Sequence, residues 1–332
     1  MQRRKLGAGG PEVGAIGLGC MGMSDFYGPA DRAESIATIH AALDSGATLI
    51  DTGDFYGQGH NEMLIAEALK GRPRDSYQLS VKFGALRDPA MNFIGYDARP
   101  AAVKNFLTYS LKRLGVEHID IYRPARLDPE VPIEDTVGAI AEMVQKGYVR
   151  AIGLSEVNAR TIRRAAAVHP IADLQIEYSL VVRMVEAEIL PACRELGIGI
   201  TAYGVLARGL ISGHWTRERS GGRDFRAASS RFSGDNLEHN LTLVEALRSL
   251  AHRRGASVAA MAVAWVMARG GDIVPLVGAR KRVQWAESAA AENLAFTDAD
   301  LAAIEAAVPK GAARGDRYPA QAMAHLDSEK RD

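Results

Sequence analysis

The feature that most constrains the fold is a regular alternation of short apolar runs with longer amphipathic segments. Runs such as ATLID (47–51) and VRAIGLS (149–155) are each followed by a segment whose apolar residues recur about every 3.6 positions. The apolar runs are typical of strands covered on both faces, and the periodic segments are typical of helices packed on a sheet. Eight strand-then-helix units follow one another along the chain. This α/β pattern predicts a closed (β/α)8 TIM barrel rather than an open sheet.

The length of 332 residues suits one such barrel, and no linker-like break in composition interrupts the alternation. We therefore expect a single domain over residues 1–332, with a C-terminal tail over about 310–332. The opening RKLGAGGPEVGAI predicts a small N-terminal hairpin that closes the barrel floor. Three connections after predicted strands are long, which places them on the rim where barrel enzymes build their active sites. These rim loops are 83–100, 123–133 and 204–236.

The composition narrows the classes of function. Forty basic and forty acidic side chains cancel, which argues against a nucleic-acid or anionic-membrane partner. The chain has no run of 18 apolar residues, so we expect no membrane span. With only Cys20 and Cys193, and a start too rich in glycine for a signal peptide, we expect a cytoplasmic protein. The eight histidines show no ligand spacing, so no metal site is predicted.

One motif invites a different interpretation. Gly17, Gly19 and Gly22 in GLGCMG match the dinucleotide fingerprint G-x-G-x-x-G. That fingerprint works only when a helix begins at once and offers its N-terminus to the pyrophosphate. Here Gly28 and Pro29 interrupt the sequence that follows. We interpret the glycines as a strand end that allows substrate or cofactor to approach closely.

Three polar residues follow or end consecutive predicted strands. Asp51 and Tyr56 lie in LIDTGDFYG, and Lys82 lies in LSVKFG. A phenol gives up its proton slowly near neutral pH unless an adjacent ammonium stabilises the phenolate, and a carboxylate keeps that ammonium charged. Taken singly, each residue could instead be a satisfied turn or capping residue. Taken together, they predict a proton donor at the rim.

These motifs resemble the aldo-keto reductases, in which Asp, Tyr, Lys and His form a catalytic tetrad. The resemblance implies that Tyr56 is the proton donor and that Asp51 and Lys82 support it. The stretch HIDIYRPARLDP resembles family segments such as IDLYYQHRVDP, and it has Ala125 where the family has the tetrad histidine.

Strand alternation places Arg123 on the same face as position 125, one layer deeper. Our hypothesis is that Arg123 partly substitutes for the imidazole, either by pairing with Asp51 or through a bound water. The alternative is that Arg123 only points into the rim and that Ala125 leaves a small water-filled space.

The resemblance also implies a bound NADPH or NADP+. LSEVN and LQIEYSL resemble the segments that hold the nicotinamide carboxamide, with Asn158 a weaker candidate than its neighbours. The aromatic of TAYGVLARGL would stack on the nicotinamide, and backbone donors around Leu206 to Leu210 in the same segment would bind the pyrophosphate. VPLVGARKRVQWAES resembles the adenosine 2′-phosphate site. The basic residues of this last segment stand at a predicted helix start, which is unfavourable unless they bind an anion. The alternative is that they form a solvated charge cluster. The cofactor-binding candidates are Ser155, Gln175, Tyr203, Leu206, Arg208, Gly209, Gly278, Arg280, Gln284 and Glu287.

The function that the resemblance implies is the reduction of a small-molecule aldehyde or ketone to an alcohol by hydride transfer. Because the tetrad histidine is absent, a second interpretation stays open, namely a cofactor-binding sensor or regulatory subunit with little turnover. Aromatic residues in the predicted rim loops indicate either an aromatic or apolar pocket, or simple loop packing. They are Phe26, Tyr27, Phe55, Phe93 and Trp215.

Overall fold

The structure of the chain is a computed structural model that describes residues 1–24, 26–216 and 225–330. Part of the third predicted rim loop, 217–224, lies outside the described residues. Along the described chain the strands are β1 (Arg3–Lys5), β2 (Glu12–Gly14), β3 (Gly17–Gly19), β4 (Leu49–Gly53), β5 (Gln78–Phe83), β6 (Ala85–Arg87), β7 (Phe93–Tyr96), β8 (Ile119–Pro124), β9 (Val149–Ser155), β10 (Ile171–Glu177), β11 (Gly199–Tyr203) and β12 (Ile273–Gly278).

Eight of these strands close into one parallel barrel in the order β3, β4, β5, β8, β9, β10, β11 and β12. The pairing of β12 with β3 completes the ring. Every residue of β4 and of β10 is buried, which is the reason their sequences read as continuous runs rather than as alternating patterns. The predicted (β/α)8 barrel is confirmed. Its parallel strands deliver their carboxyl ends to one rim.

The helices surround this barrel. Several begin at a side chain that accepts from a backbone N–H of the first turn, as Asp31, Asn158, Ser257 and Thr297 do. Among the described residues no helix is both long and apolar enough to cross a membrane. The helices are α1 (Arg32–Asp44), α2 (His60–Ala68), α3 (Pro100–Leu114), α4 (Ile133–Gln145), α5 (Ala159–Val168), α6 (Ile189–Glu195), α7 (Gly234–Arg253), α8 (Val258–Met267), α9 (Arg282–Ala289), α10 (Asp298–Ala307) and α11 (Ala320–Met323).

Helix α8 was not predicted from the sequence. Its residues from Val258 to Val266 are all buried, so the segment is apolar on every side. A helix without a polar face has no 3.6-residue alternation, which is the signal that revealed the outer helices.

The predicted N-terminal hairpin is formed by β1 and β2, which pair antiparallel. Leu6 and Val13 from this hairpin are fully buried in a cluster with Leu49 and Ile121 of the barrel interior. The backbone N–H of Ala8 donates to a carbonyl just before β11, over 2.7 Å. The hairpin therefore closes the floor, at the end of the barrel opposite the rim.

The GLGCMG stretch is not a dinucleotide fingerprint in its structure. Gly17 and Gly19 lie in β3, and a short 3₁₀ turn follows at Met21–Met23. In the part of the chain that the structure describes, the next α-helix begins only at Arg32, so no α-helix N-terminus stands at the glycines.

Candidate active site

Asp51 and Lys82 form a buried ion pair where the two neighbouring strands β4 and β5 end. The Lys82 Nζ donates to Asp51 and, over 2.9 Å, to the Oε1 of Gln175. The Gln175 amide in turn donates to Asp51 Oδ2 over 2.7 Å. Burying these charges is costly unless they are paired, and here the contacts among the three residues satisfy them. The structure thus joins two of the predicted catalytic residues to one predicted for cofactor binding.

Tyr56 lies beside this pair, just beyond β4, in a turn that holds its side chain almost fully buried. The Lys82 Nζ lies 5.3 Å from the centre of its ring. We expected the ammonium to favour the phenolate, but burial raises the pKa of Tyr56 well above its usual value, and the charge of Asp51 raises it further. Tyr56 is therefore protonated at neutral pH, the state that a proton donor requires.

Burial also lowers the pKa of Lys82, although Asp51 opposes this and favours the charged form. The positive charges of Arg123 and Arg126 lower the pKa of Lys82 further. The lysine thus lies among three charged groups, of which only Asp51 stabilises its ammonium.

Arg123 does not pair with Asp51, so that part of our hypothesis was wrong. Its Nη1 donates to Asp173 Oδ2 over 3.0 Å, and its Nη2 donates to Ser80 Oγ over 2.8 Å. The Ser80 hydroxyl donates to Asp51 over 2.8 Å, so the hydrogen bonds connect Arg123 to Asp51 through Ser80. Arg123 is fully buried and cannot contact a substrate at the rim. A Cβ added to Gly153 would lie 2.7 Å from Asp173 Oδ1, which shows how closely this layer is packed.

Alternation along the strands could have revealed this polar layer. Ser80 precedes Lys82 by two residues, and Asp173 precedes Gln175 by two, so each lies one layer below a residue of the site. Burial raises the pKa of Asp173, and the Arg123 guanidinium opposes that rise.

At position 125 the chain offers no side-chain donor. Ala125 is buried, and its backbone N–H donates to the carbonyl of Phe83 over 2.8 Å. The sequence analysis overlooked the next residue, Arg126, whose Nη1 donates to the carbonyl of Ala125 over 2.6 Å and to Ser155 Oγ over 3.3 Å. The guanidinium therefore folds back over position 125. The motif gave a signal for it, because an arginine also follows the histidine in the family segment.

The residues predicted for the nicotinamide lie together at the ends of β9, β10 and β11. Ser155 ends β9 and is buried beside Gln175 of β10. The Oδ1 of Asn158 caps α5, whereas its buried Nδ2 has no hydrogen-bond partner among the described residues. A carboxamide oxygen would satisfy that donor, so these residues fit a nicotinamide. The hydroxyl of Tyr203 lies 2.7 Å from Glu156 and donates to it.

The segment predicted for the pyrophosphate is a tight turn with positive φ at Ala207 and Arg208. The Arg208 guanidinium pairs with Glu177 over 2.9 Å and is buried. The backbone N–H of Gly209 donates to the carbonyl of Leu206 over 2.8 Å. This donor, which we expected to face a phosphate, serves the turn itself.

The residues predicted for the adenosine end lie around the start of α9. Arg280 donates to the carbonyls of residues 27, 28 and 29 over 2.9 to 3.3 Å, which connects two rim loops. Gln284 accepts from the Arg280 backbone N–H over 3.2 Å. Glu287 lies 2.9 Å from His214, and Gly278 ends β12 with open space where a Cβ would lie. In the same basic run, Arg282 pairs with Glu34 over 2.9 Å.

The C-terminal tail crosses the rim and reaches the same strand ends, which no sequence pattern indicated. Arg317 is buried between Glu156 and Glu177, with contacts of 2.6 and 3.1 Å. The hydroxyl of Tyr318 lies 2.8 Å from that of Tyr203. The Arg208 guanidinium lies 4.0 Å from the Tyr318 ring centre. Tyr318 thus stands between the residues predicted for the nicotinamide and for the pyrophosphate.

The rim aromatics serve both of the roles that we considered. Phe55 and Phe26 pack edge-on against Tyr56, with ring centres 4.7 and 6.4 Å away, so they line the site. Phe93, on the β6–β7 hairpin, packs against Tyr96 and is partly exposed. Trp215 packs against Phe232.

Comparison with known proteins agrees with this geometry. The model of the Aldo/keto reductase family matches residues 15–309. A probable aldo-keto reductase 1 from Glycine max is 40% identical over 319 residues, covering 96% of this chain and 92% of that protein. The chain belongs to the aldo-keto reductase family and is an oxidoreductase.

Two solved structures are also similar. One is a glycerol dehydrogenase from Gluconobacter oxydans, with a TM-score of 0.83 and 29% identity, covering 99% of this chain and 97% of that one. The other is a thermostable aldo-keto reductase solved with the inhibitor epalrestat, with a TM-score of 0.75 and 25% identity, covering 92% of this chain and 100% of that one. Family membership implies NAD(P)H-dependent carbonyl reduction.

Proposed function

We propose that the protein reduces an aldehyde or ketone to an alcohol with NADPH as the hydride source and Tyr56 as the proton donor. The observation that carries this proposal is the protonated, buried Tyr56 beside the Lys82–Asp51 pair. A protein that only binds a cofactor has no need for a buried ammonium next to a phenol, because that arrangement costs desolvation energy.

The nicotinamide supplies the hydride when it is bound. As the carbonyl carbon accepts that hydride, the π electrons of the C=O bond move to the oxygen, and Tyr56 gives this oxygen its proton. The Lys82 ammonium then faces the Tyr56 phenolate, and Asp51 keeps the ammonium charged. Water at the rim returns the proton to Tyr56.

NADPH is the cofactor that the binding residues support. The unpartnered Nδ2 of Asn158 suits a carboxamide oxygen, and Tyr203 offers a ring at the end of β11. At the other end, Arg280 and Lys281 stand at the start of α9, and Lys281 is exposed. Their positive charge favours a 2′-phosphate, which NADPH carries and NADH lacks.

A cofactor-binding sensor with little turnover is the second candidate. Two observations favour it, namely the missing donor side chain at Ala125 and the close contact of Tyr318 with Tyr203. Both candidates would bind the cofactor, so only turnover distinguishes them.

The test is NADPH consumption by the full chain against a panel of aliphatic and aromatic aldehydes and ketones, with cofactor binding measured separately. We expect tight NADPH binding and turnover with at least one carbonyl compound. Tight binding without turnover on any member of the panel would favour the sensor. Absence of NADPH binding would contradict both candidates.

A further inference from the structure

Arg126 at the barrel mouth lacks the carboxylate partner that several buried arginines have. Arg123, Arg208 and Arg317 each have a carboxylate partner. Arg126 instead contacts neutral oxygens, those of Ala125, Ser155 and, at a long 3.5 Å, Tyr318. Within residues 1–24, 26–216 and 225–330, no carboxylate forms a salt bridge with it. Its charge is therefore uncompensated by any direct ion pair there.

The position of Arg126 relates it to the reacting groups. Its guanidinium folds over Ala125, the place where the family has its histidine, and it reaches Ser155 at the predicted nicotinamide end. Burial and Asp51 raise the pKa of Tyr56, and the charge of Arg126 opposes this rise. It also lowers the pKa of Lys82. Both groups of the proposed proton-transfer pair thus feel this cation.

Arg126 keeps its proton in these surroundings. Burial would lower its pKa, but Tyr203, Tyr318, Glu156 and Tyr96 outweigh burial and raise the pKa above its usual value. A guanidinium has several N–H donors, and those that do not bind Ala125 or Ser155 can bind a further oxygen. A half-buried cation beside a developing oxyanion stabilises it strongly, because little water screens the interaction.

We infer that Arg126 donates a hydrogen bond to the carbonyl oxygen of the substrate and stabilises the alkoxide, the task that a histidine at position 125 would otherwise perform. This inference rests on the proposed carbonyl reduction. As the hydride reaches the carbonyl carbon, the electron pair of the C=O bond moves to the oxygen, which lies between Arg126 and Tyr56. Tyr56 transfers its proton to that oxygen, and Arg126 retains its own.

The first test compares Arg126→Met with Arg126→Lys. We expect Arg126→Met to lower kcat by about 10²–10³-fold with one good aldehyde, as the loss of an oxyanion donor does elsewhere. Arg126→Lys should recover part of this loss, because it restores a charge but not the shape of the guanidinium. The matched control is Arg164→Met, which removes an exposed arginine paired with Glu134 on the outer helices and should leave kcat unchanged. Thermal unfolding and the NADPH Kd of each variant show whether it is folded and binds cofactor.

The second test restores the missing side chain in the variant background. Ala125→His combined with Arg126→Met should regain activity and should acquire a pH dependence centred at about 6.5, the ordinary pKa of histidine. The unaltered protein should show no such dependence from this position, because arginine stays charged. Lack of any gain by the double variant, or full kcat in Arg126→Met, would overturn the assignment to Arg126 alone. An unaltered protein that binds NADPH but reduces no carbonyl compound would overturn the proposed function together with it.

Discussion

At the scale of single residues, burial affects Tyr56 and Lys82 through the same physical cause and shifts their pKa values in opposite directions. It raises the pKa of the phenol and lowers that of the ammonium, because both ions lose hydration. Asp51 adds to the first shift and opposes the second. These shifts favour the proposed reduction, in which Tyr56 holds its proton until the carbonyl oxygen becomes negative.

The proposed preference for NADPH also rests on single residues. We expect NADPH to bind at least about tenfold tighter than NADH, equivalent to roughly 1.4 kcal/mol, and Arg280→Ala to remove most of that preference. Because Arg280 also holds the loop at residues 27–29, its loss can weaken both cofactors. The informative quantity is therefore the ratio of the two Kd values, measured by titration for each protein. Equal Kd values in the unaltered protein would contradict the assignment.

Asp54 provides a pH prediction of its own. Burial raises the pKa of its carboxyl to about 8, Glu62 raises it further, and Arg113 opposes this. The unfolded chain ionises Asp54 near its ordinary pKa, so between about pH 4 and pH 8 the folded state holds one more proton and loses stability as the pH rises. The expected loss is about 1.4 kcal/mol per pH unit in that window.

Replacing Asp54 removes this contribution. Relative to the unaltered protein, Asp54→Asn should become progressively more stable as the pH increases from about 5 to about 8, and should gain nothing further above that. Urea unfolding at several pH values measures the difference. Asp75→Asn, at an exposed position, is the control and should show no such trend. A constant difference between Asp54→Asn and the unaltered protein would show that Asp54 is ionised in the folded state.

At the scale of elements, ion pairs hold the C-terminal tail, which contains α11, on the barrel rim. Burial would raise the pKa of Glu156, but Arg317 outweighs it and holds that pKa below its ordinary range. The positive φ of Glu156, 52°, places a strained residue at the same contact. The tail thus depends on an ion cluster rather than on a large apolar face.

Removal of Arg317 should therefore be costly. Arg317→Met leaves Glu156 and Glu177 with less compensation, and we expect a loss of about 3–5 kcal/mol in the free energy of unfolding. Denaturant titration measures this loss, and limited proteolysis should cut the tail of the variant sooner. Arg314→Met, three residues earlier and exposed, should cost little. Similar stability of the two variants would mean that the cluster contributes nothing net.

At the scale of the whole molecule, the barrel could be predicted because strands buried on both faces and helices with one apolar face leave different periods in the sequence. Helix α8 was not predicted because it is buried on every side and therefore lacks that period. The pairing of Arg123 with Asp173 was not predicted, because the two residues are 50 positions apart in the sequence and only the closed barrel brings them together. The contact of Arg317 with Glu156 was not predicted for the same reason, since no local pattern connects a tail residue to one 161 positions earlier.

The candidate site was predictable to the extent that its residues end consecutive strands. Asp51 and Lys82 are in contact, in keeping with their positions near the ends of consecutive strands, whereas the contacts of Gln175 with both were not predicted. Their hydrogen bonds, and the direction of the pKa shift of Tyr56, depend on burial that strand order alone does not define.

The most direct test of the account is hydride transfer by Tyr56→Phe, with deuterium on the transferable position of the cofactor. The unaltered protein should place one deuterium on the former carbonyl carbon of an accepted aldehyde, detected as a mass increase in the alcohol. Tyr56→Phe should bind NADPH with nearly unchanged Kd while forming that product at least about 10²-fold more slowly, because only the proton donor is lost. Equal rates for the two proteins on every accepted substrate would contradict Tyr56 as the donor.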